Sequence, residues 1–473
     1  MRSSRYMNQH SELTSTAAVF IPNLTGLSAS AARIKLSSRT LGLNRFKNYR
    51  HVPYQAVGPT RLPQFYMPYA TWVNPHLETG RRYSKQWARQ MGMLESLSGL
   101  PEVFSWNDHK FDVADVALCG ALINPKGSAS ELNLTACWLV WGTYADDYFP
   151  ALYGYTRDMV GAKVFNARLS AFMPLDSTTP VPPPTNPVEN GLADLWARTA
   201  DTLSKNARRL FRRAIEEMTE SWLWELANQM QNRIPDPIDY VEMRRKTFGS
   251  DLTMSLARLA HCEEIPPEIY STRTMRELDN AAADYACLTN DIFSYQKEIE
   301  FEGELHNGVL VVQNFMDYDR VWAVEIINDL MTARMQQFEH IVATELPALF
   351  ESFELDAKTR TQILDYVQKL QQWMSGVLRW HTAVDRYKEF ELRAAARPRE
   401  FQGGPTGLGT TAARVVTLWR SGEQASAAVP PTPPNLANAK AASIAPMETP
   451  KFMKSFTATH LLPPFILKKK EEV

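Results

Sequence analysis

Three oxygen-bearing side chains recur at steps of four in the stretch NDIFSYQKE: the amide of Asn290, the hydroxyl of Ser294 and the carboxylate of Glu298. On an α-helix a four-residue step returns to nearly the same side, drifting by about 40°, so the three fall along one stripe. Hard oxygens at that spacing suit Mg²⁺, which keeps several waters and is completed by substrate phosphates rather than by a closed protein cage. The triplet therefore points to a phosphorylated substrate.

A second acidic element, GTYADDYFP, closes a helix read over Ala129 to Phe149, with Pro150 expected to stop it. The adjacent carboxylates of Asp146 and Asp147 repel each other and the negative end of the helix dipole, and so require a nearby positive charge. A lone Asp pair is more often a solvated helix end. Two oxygen-rich patches on separate long helices, however, are how helical bundles build sites for several Mg²⁺ ions. Lys297 beside Glu298, Arg244 in YVEMRRKTFG, and Arg386 with Tyr387 further on supply basic and hydroxyl groups; taken together with the acids they describe a site for metal-bound diphosphate.

The elements that must position these residues read as helices throughout. From about Leu62 to Arg393 the chain is a succession of amphipathic segments separated by Pro, Gly or Asn, with long alternating strand patterns missing. Clear segments run near His76 to Leu97, Ala129 to Phe149, Ala151 to Phe172, Ala207 to Gln231, Tyr240 to Leu259, Thr274 to Glu302, Val321 to Thr344 and Lys358 to Tyr387. TPVPPPTNP, from Thr179 to Pro187, reads as a surface loop because proline lacks the amide donor. The division expected is a disordered or linker-like leader over residues 1–60, an α-helical domain over 61–395, and a disordered Pro/Ala/Ser-rich tail over 396–473. TGLSASAAR at Thr25 to Arg33 is nearly repeated as TGLGTTAAR at Thr406 to Arg414, and the two copies bracket the helical block; either a linker cassette was duplicated, or the chain is one module of a longer architecture in which the cassette follows each module.

Composition narrows the classes. With 51 basic and 52 acidic residues the formal net charge is -1, so no field favours nucleic acid or an anionic membrane. The 44% hydrophobic content and 12 Trp suffice for a large core or an apolar pocket. Four scattered cysteines, Cys119, Cys137, Cys262 and Cys287, with no CxxC pair, read as reduced thiols. No apolar run approaches the roughly 18 residues of a membrane span, and a cytoplasmic location is expected.

The motifs DDYFP, RRKTFG, NDIFSYQKE and the terminal Arg386–Tyr387 pair follow the order and rough spacing of bacterial class I terpene synthases, which the chain resembles from about Leu62 to Tyr387. Within that family LPQFYMPY, NPHLETGRRYSKQWARQMGML and NDIFSYQKEIEFEGELHNGVLVVQNF are most similar to the germacradienol/geosmin synthase type, and more to its second catalytic half than to its first. The resemblance implies an all-α bundle around an apolar cavity and up to three Mg²⁺ ions held with diphosphate. It implies metal ligation by Asp146, with Asp147 as close neighbour, and by Asn290, Ser294 and Glu298. It also implies a diphosphate sensor at Arg244, with Arg245 a lesser candidate, and anion contacts from Lys297, Arg386 and Tyr387. One departure is that Tyr148, Phe149 and Pro150 stand where many relatives carry a further acid.

The function expected from the resemblance is a Mg²⁺-dependent terpene cyclase acting on farnesyl diphosphate, or on germacradienol to give geosmin and acetone. Phe65, Phe111, Trp138, Trp141 and Trp380 are candidate cavity walls, since ring faces stabilise a cation by about 0.5–2 kcal/mol each. His381 and Asp147 are the candidate acid and base for an alcohol substrate. The alternative is a non-catalytic helical partner of a separately encoded first synthase half, or a homodimer subunit; a chain-elongating prenyltransferase would need two full DDxxD-like motifs.

Overall fold

The computed structural model describes residues 56–95, 106–154, 156–176, 178–201, 203–258 and 265–395. Both copies of the repeated cassette, Cys262, the expected tail and nearly all of the expected leader lie outside these residues. Among those described there is no strand, and no helix is long and apolar enough to cross a membrane.

The helices, in chain order, are α1 (Leu77–Gln90), α2 (Asp108–Ala114), α3 (Val116–Ile123), α4 (Ala129–Phe149), α5 (Met159–Leu169), α6 (Pro187–Ala200), α7 (Lys205–Met230) and α8 (Pro237–Thr247). They continue as α9 (Ser250–Arg258), α10 (Pro267–Tyr270), α11 (Arg273–Gln296), α12 (Gly308–Met316), α13 (Arg320–His340), α14 (Leu346–Ser352), α15 (Ala357–Ala383) and α16 (Glu389–Ala395). One apolar core gathers around α11, α12, α13 and α15; a second joins α1, α3, α4, α6 and α7. α11 packs on α13 and α15, and α15 crosses α3, which ties the two cores together.

Local chemistry explains the helix ends that position the site. α4 starts at a capping box: Ser128 Oγ accepts from the Glu131 amide, and Glu131 accepts from the Ser128 amide at 2.7 Å. Pro150 does not stop the chain's winding. It adopts φ -62°, ψ -35°, and a π-helical turn, Pro150–Gly154, absorbs the hydrogen bond that proline cannot donate. The single helix expected over Tyr240 to Leu259 is two, because Gly249 takes φ +71° just after α8 and its amide caps the Lys246 carbonyl at 2.9 Å. The helix carrying the triplet changes form at Gln296, so Glu298 lies in a π-helical turn, Lys297–Glu302. The last long helix ends at Ala383, leaving Arg386 and Tyr387 on the loop beyond it, and Pro187 is the first residue of α6 rather than the end of a loop.

An extended segment from residue 56 lies over this scaffold. The amides of Val57 and Gly58 donate to Glu300 at 3.1 and 2.8 Å, and Tyr285 and Asn328 donate to the carbonyls of Tyr66 and Gln64.

The α15–α3 crossing depends on Gly376, where an added Cβ would lie 2.9 Å from the Leu122 carbonyl carbon and 3.0 Å from the Ile123 amide nitrogen. Backbone cannot yield as a flexible side chain would. Gly376→Val is expected to lower unfolding stability by about 1–3 kcal/mol, read as a reduced urea midpoint.

Candidate active site

A cavity opens between the two cores, with an empty space of about 1170 Å³ including its mouth. It is walled by α3, α4, α7, α8, α9, α11 and α15 and by the loop that follows α15. Asp146, Arg244, Asn290, Glu298, Arg386 and Tyr387 all line it. Three of the sequence candidates do not. Asp147 points about one-third of a turn away from Asp146, as neighbours on a helix must; Ser294 is buried beneath the surface, and Lys297 turns towards Asp147 and Glu302.

Arg244 is fixed from three directions. Its Nε donates to Asp291 Oδ1 at 2.9 Å, its Nη2 to Asn290 Oδ1 at 2.7 Å, and its Nη1 to Thr247 at 3.4 Å. Asp291 is fully buried and also accepts from the Tyr240 hydroxyl at 2.7 Å and the Gly308 amide at 3.0 Å. Burial raises the Asp291 pKa while Arg244 lowers it, and Arg244 itself is held firmly protonated. The two directions pull apart, and the three donors around one carboxylate favour the ionised pair. Arg245 faces away, pairing with Asp284 at 2.6 Å.

At the other side of the mouth, Asp147 accepts two bonds from Arg386, at 2.7 and 2.9 Å, one from Trp106 Nε1 at 2.8 Å and one from Lys297 at 3.4 Å. Burial opposes its ionisation, but Arg386 and Lys297 outweigh burial and hold the carboxyl well below its ordinary range. Asp147 is thus the anchor of the basic cluster, and a poor proton carrier. His381 is equally tied: Nδ1 contacts the Val377 carbonyl at 2.8 Å and Nε2 contacts Asn290 Nδ2 at 3.1 Å. Burial lowers its pKa to about 4, so it is a neutral imidazole whose Nδ1–H donates to the carbonyl and whose Nε2 accepts from the amide. Neither expected acid-base residue is free for that work.

The remaining cavity acids are held partly neutral. Burial and Asp147 push Asp146 up to about 6; burial, opposed by Arg244 and reinforced by Asp291, brings Glu298 to about 7. Glu225 on α7 rises to about 8 through burial and the neighbouring Asp146, and burial with the neighbouring Glu302 raises Glu304 well above the ordinary carboxyl range. Sequence reasoning missed these two, although Glu225 stands alone among Trp222, Leu223, Trp224 and Leu226, a placement that a purely apolar helix face does not explain.

The donor chemistry fits a divalent cation. Asp146 and Glu298 bring carboxylates to the cavity, Asn290 brings an amide whose oxygen accepts from Arg244 in this structure, and the Ser294 hydroxyl is buried without a hydrogen-bond partner. Glu298 is oriented by Asn307, whose Nδ2 donates to Glu298 Oε2 and to the Asp291 carbonyl, both at 2.8 Å. Among the described residues no three carboxylate, imidazole or thiol groups could hold a metal ion by themselves. Amide, hydroxyl, water and substrate oxygens must therefore complete any coordination shell.

The wall differs from expectation in part. Trp138 and Trp380 line the cavity; Trp222, Phe248 and Trp373 do so as well. Phe65 stacks on Phe293, Phe111 packs edge-on to Trp106, and Trp141 donates to the Val188 carbonyl, so those three serve the packing.

The chain is similar in sequence and in fold to known terpene synthases. Residues 137–337 match the family model described as terpene synthase family 2, C-terminal metal binding. Pristinol synthase of Streptomyces pristinaespiralis is 25% identical over 365 residues, covering 76% of this chain and 95% of that protein. Pentalenene synthase of Streptomyces avermitilis is 27% identical over 356 residues, covering 74% and 100%. The crystal structure of germacradien-4-ol synthase from Streptomyces citricolor superposes with a TM-score of 0.58 at 22% identity, covering 67% of this chain and 100% of that one, a likeness of fold.

Because cation ligands must lose their protons, acid should weaken divalent-ion binding. With Glu298 near 7 and Asp146 near 6, lowering the pH from 8 to 6 is expected to raise the half-saturating Mg²⁺ concentration by about tenfold or more. Mn²⁺ binding followed by electron paramagnetic resonance at the two pH values checks this.

Proposed function

We propose that this chain, which has the class I terpene synthase fold and matches the bacterial-type family's C-terminal metal-binding region, ionises and cyclises farnesyl diphosphate, with residues 61–395 as the catalytic unit. Mg²⁺ is the cofactor of this enzyme class. The observation that carries the reading is the arrangement of Asp146, Asn290 and Glu298 around the same cavity as Arg244, Arg386 and Tyr387, above aromatic walls.

In this reading Asp146, Asn290, Ser294 and Glu298 hold the metal, which when bound supplies positive charge against the diphosphate. Arg244, Arg386 and Tyr387 face the diphosphate oxygens, and Lys297, paired with Asp147 and Glu302, adds its charge from behind them. Arg244 and Arg386 enter that role already oriented by Asp291 and Asp147, so little reorganisation accompanies charge separation. Trp138, Trp222, Phe248, Trp373 and Trp380 then present ring faces to the allylic cation and exclude water from it. The length of the substrate is supported by relatives whose names describe sesquiterpene synthases.

A germacradienol substrate, as in the geosmin-forming reaction, is the second reading. It is favoured by Glu225, a cavity carboxyl that stays protonated to about pH 8 and can donate a proton to a neutral alcohol.

Wild-type protein with Mg²⁺ is expected to release diphosphate from farnesyl diphosphate and give a volatile terpene by gas chromatography, with Glu298→Ala reduced by about a hundredfold or more. No product from either substrate, and no difference between the two proteins, would contradict both readings.

A further inference from the structure

The α7 side of the cavity holds polar groups that the diphosphate end does not use. Trp222 and Glu225, three residues apart on α7, share a face, and both line the cavity. His306, in the loop between the π-helical turn and α12, lines it too, with its ring 5.5 Å from that of Trp224. Trp222 is 2% exposed and His306 6%, yet Trp222 Nε1 and His306 Nε2 have no hydrogen-bond partner in the protein. Leaving a buried polar group unpaired costs about 1–3 kcal/mol, and folded proteins seldom leave two beside one cavity.

The three groups specify their complement. An indole N–H can only donate, while a carboxyl and a neutral imidazole can each donate or accept. An oxygen carrying both lone pairs and a hydrogen satisfies all of them whichever way the carboxyl and the imidazole are protonated, whereas a hydrocarbon satisfies none. We infer that Trp222, Glu225 and His306 form a hydroxyl-binding subsite within the cavity, occupied by water or by the hydroxyl of an alcohol substrate.

The inference rests on the terpene cyclase reading and adds the fate of the cation. With water in the subsite, an oxygen lone pair forms the new C–O bond to the carbocation. One O–H bond then breaks and its proton passes to His306 Nε2, leaving a neutral alcohol. An oxonium ion is acidic enough to protonate even a weakly basic imidazole, so no other co-reactant is needed. With an alcohol substrate, the same groups hold its hydroxyl oxygen.

The test incubates the full chain and Mg²⁺ with farnesyl diphosphate in H₂¹⁸O, and separately with germacradienol, comparing wild type with Trp222→Phe and His306→Phe. An ¹⁸O-labelled alcohol in the first arm assigns water as the occupant; consumption of germacradienol in the second assigns the substrate hydroxyl. In whichever arm responds, both variants are expected to lower oxygenated product per diphosphate released, or germacradienol turnover, by about fivefold or more. Unlabelled hydrocarbons alone with germacradienol untouched, or an unchanged oxygenated share in both variants, overturns the subsite. Failure of the wild type to release diphosphate counts against the farnesyl diphosphate reading instead, and the germacradienol arm still decides the subsite. If either ring substitution unfolds the chain, Glu225→Leu, which removes the hydrogen-bonding group at similar volume, is read by the same criteria.

Discussion

A single buried ion pair sets the geometry on which the candidate site depends. Arg244 comes from α8 and Asp291 from α11, and their contact fixes the distance between those helices at the level of the cavity. The same guanidinium reaches Asn290, and the same carboxylate accepts from Tyr240 and from the first amide of α12. A charge pair with so little exposure is costly to desolvate, and it is tolerable here because nearly every polar atom around it is satisfied. Asn307 extends the network to Glu298. One connected set of bonds therefore holds the Arg244 guanidinium and the Glu298 carboxylate in register.

A second anchor mirrors the first across the mouth. Asp147 gathers Arg386, Lys297 and Trp106, so the loop after α15 and the π-helical turn after α11 are drawn to the end of α4. The two neighbouring aspartates thus divide their work. Asp147 organises positive charge, whereas Asp146 remains open to the cavity and is left with a raised pKa among Glu225, Glu298 and Glu304. Carboxyl groups collected around one cavity resist ionising together without a cation, and once ionised they would repel a polyanionic substrate. Cation and diphosphate entering together resolve both difficulties, while the aromatic walls stay indifferent until positive charge develops on carbon.

How far the sequence foretold this varies with the physics behind each element. α4 ran from Ala129 to Phe149 as read, its start held by the Ser128–Glu131 capping box and its α-helical end set by Pro150. The spacing of Asn290, Ser294 and Glu298 was visible because helical steps are regular, and the terpene synthase fold was legible from the ordered motifs. The passage into a π-helical turn at Lys297 was not, since nothing in YQKEIE marks it. α3, VALCGALI, is apolar on nearly every side and so carries no periodicity to find. The separate fates of Asp146 and Asp147 depended on which partners lay across the bundle, as did the loss of Phe65, Phe111 and Trp141 to packing. Glu225 lies outside every quoted motif and His306, although inside the long segment after Asn290, has no spacing that singles it out; only the folded arrangement brings them to the cavity.

The central claim is that oxygens from α4 and from the α11 end serve one shared set of ions beside Arg244. A crystal structure with Mn²⁺ and a non-ionisable farnesyl diphosphate analogue, read by anomalous scattering, tests it directly. The account predicts metal peaks bridging the analogue's phosphates to Asp146 on one side and to Asn290, Ser294 and Glu298 on the other. Peaks that leave either group without a metal, or an analogue bound away from Arg244, would contradict it.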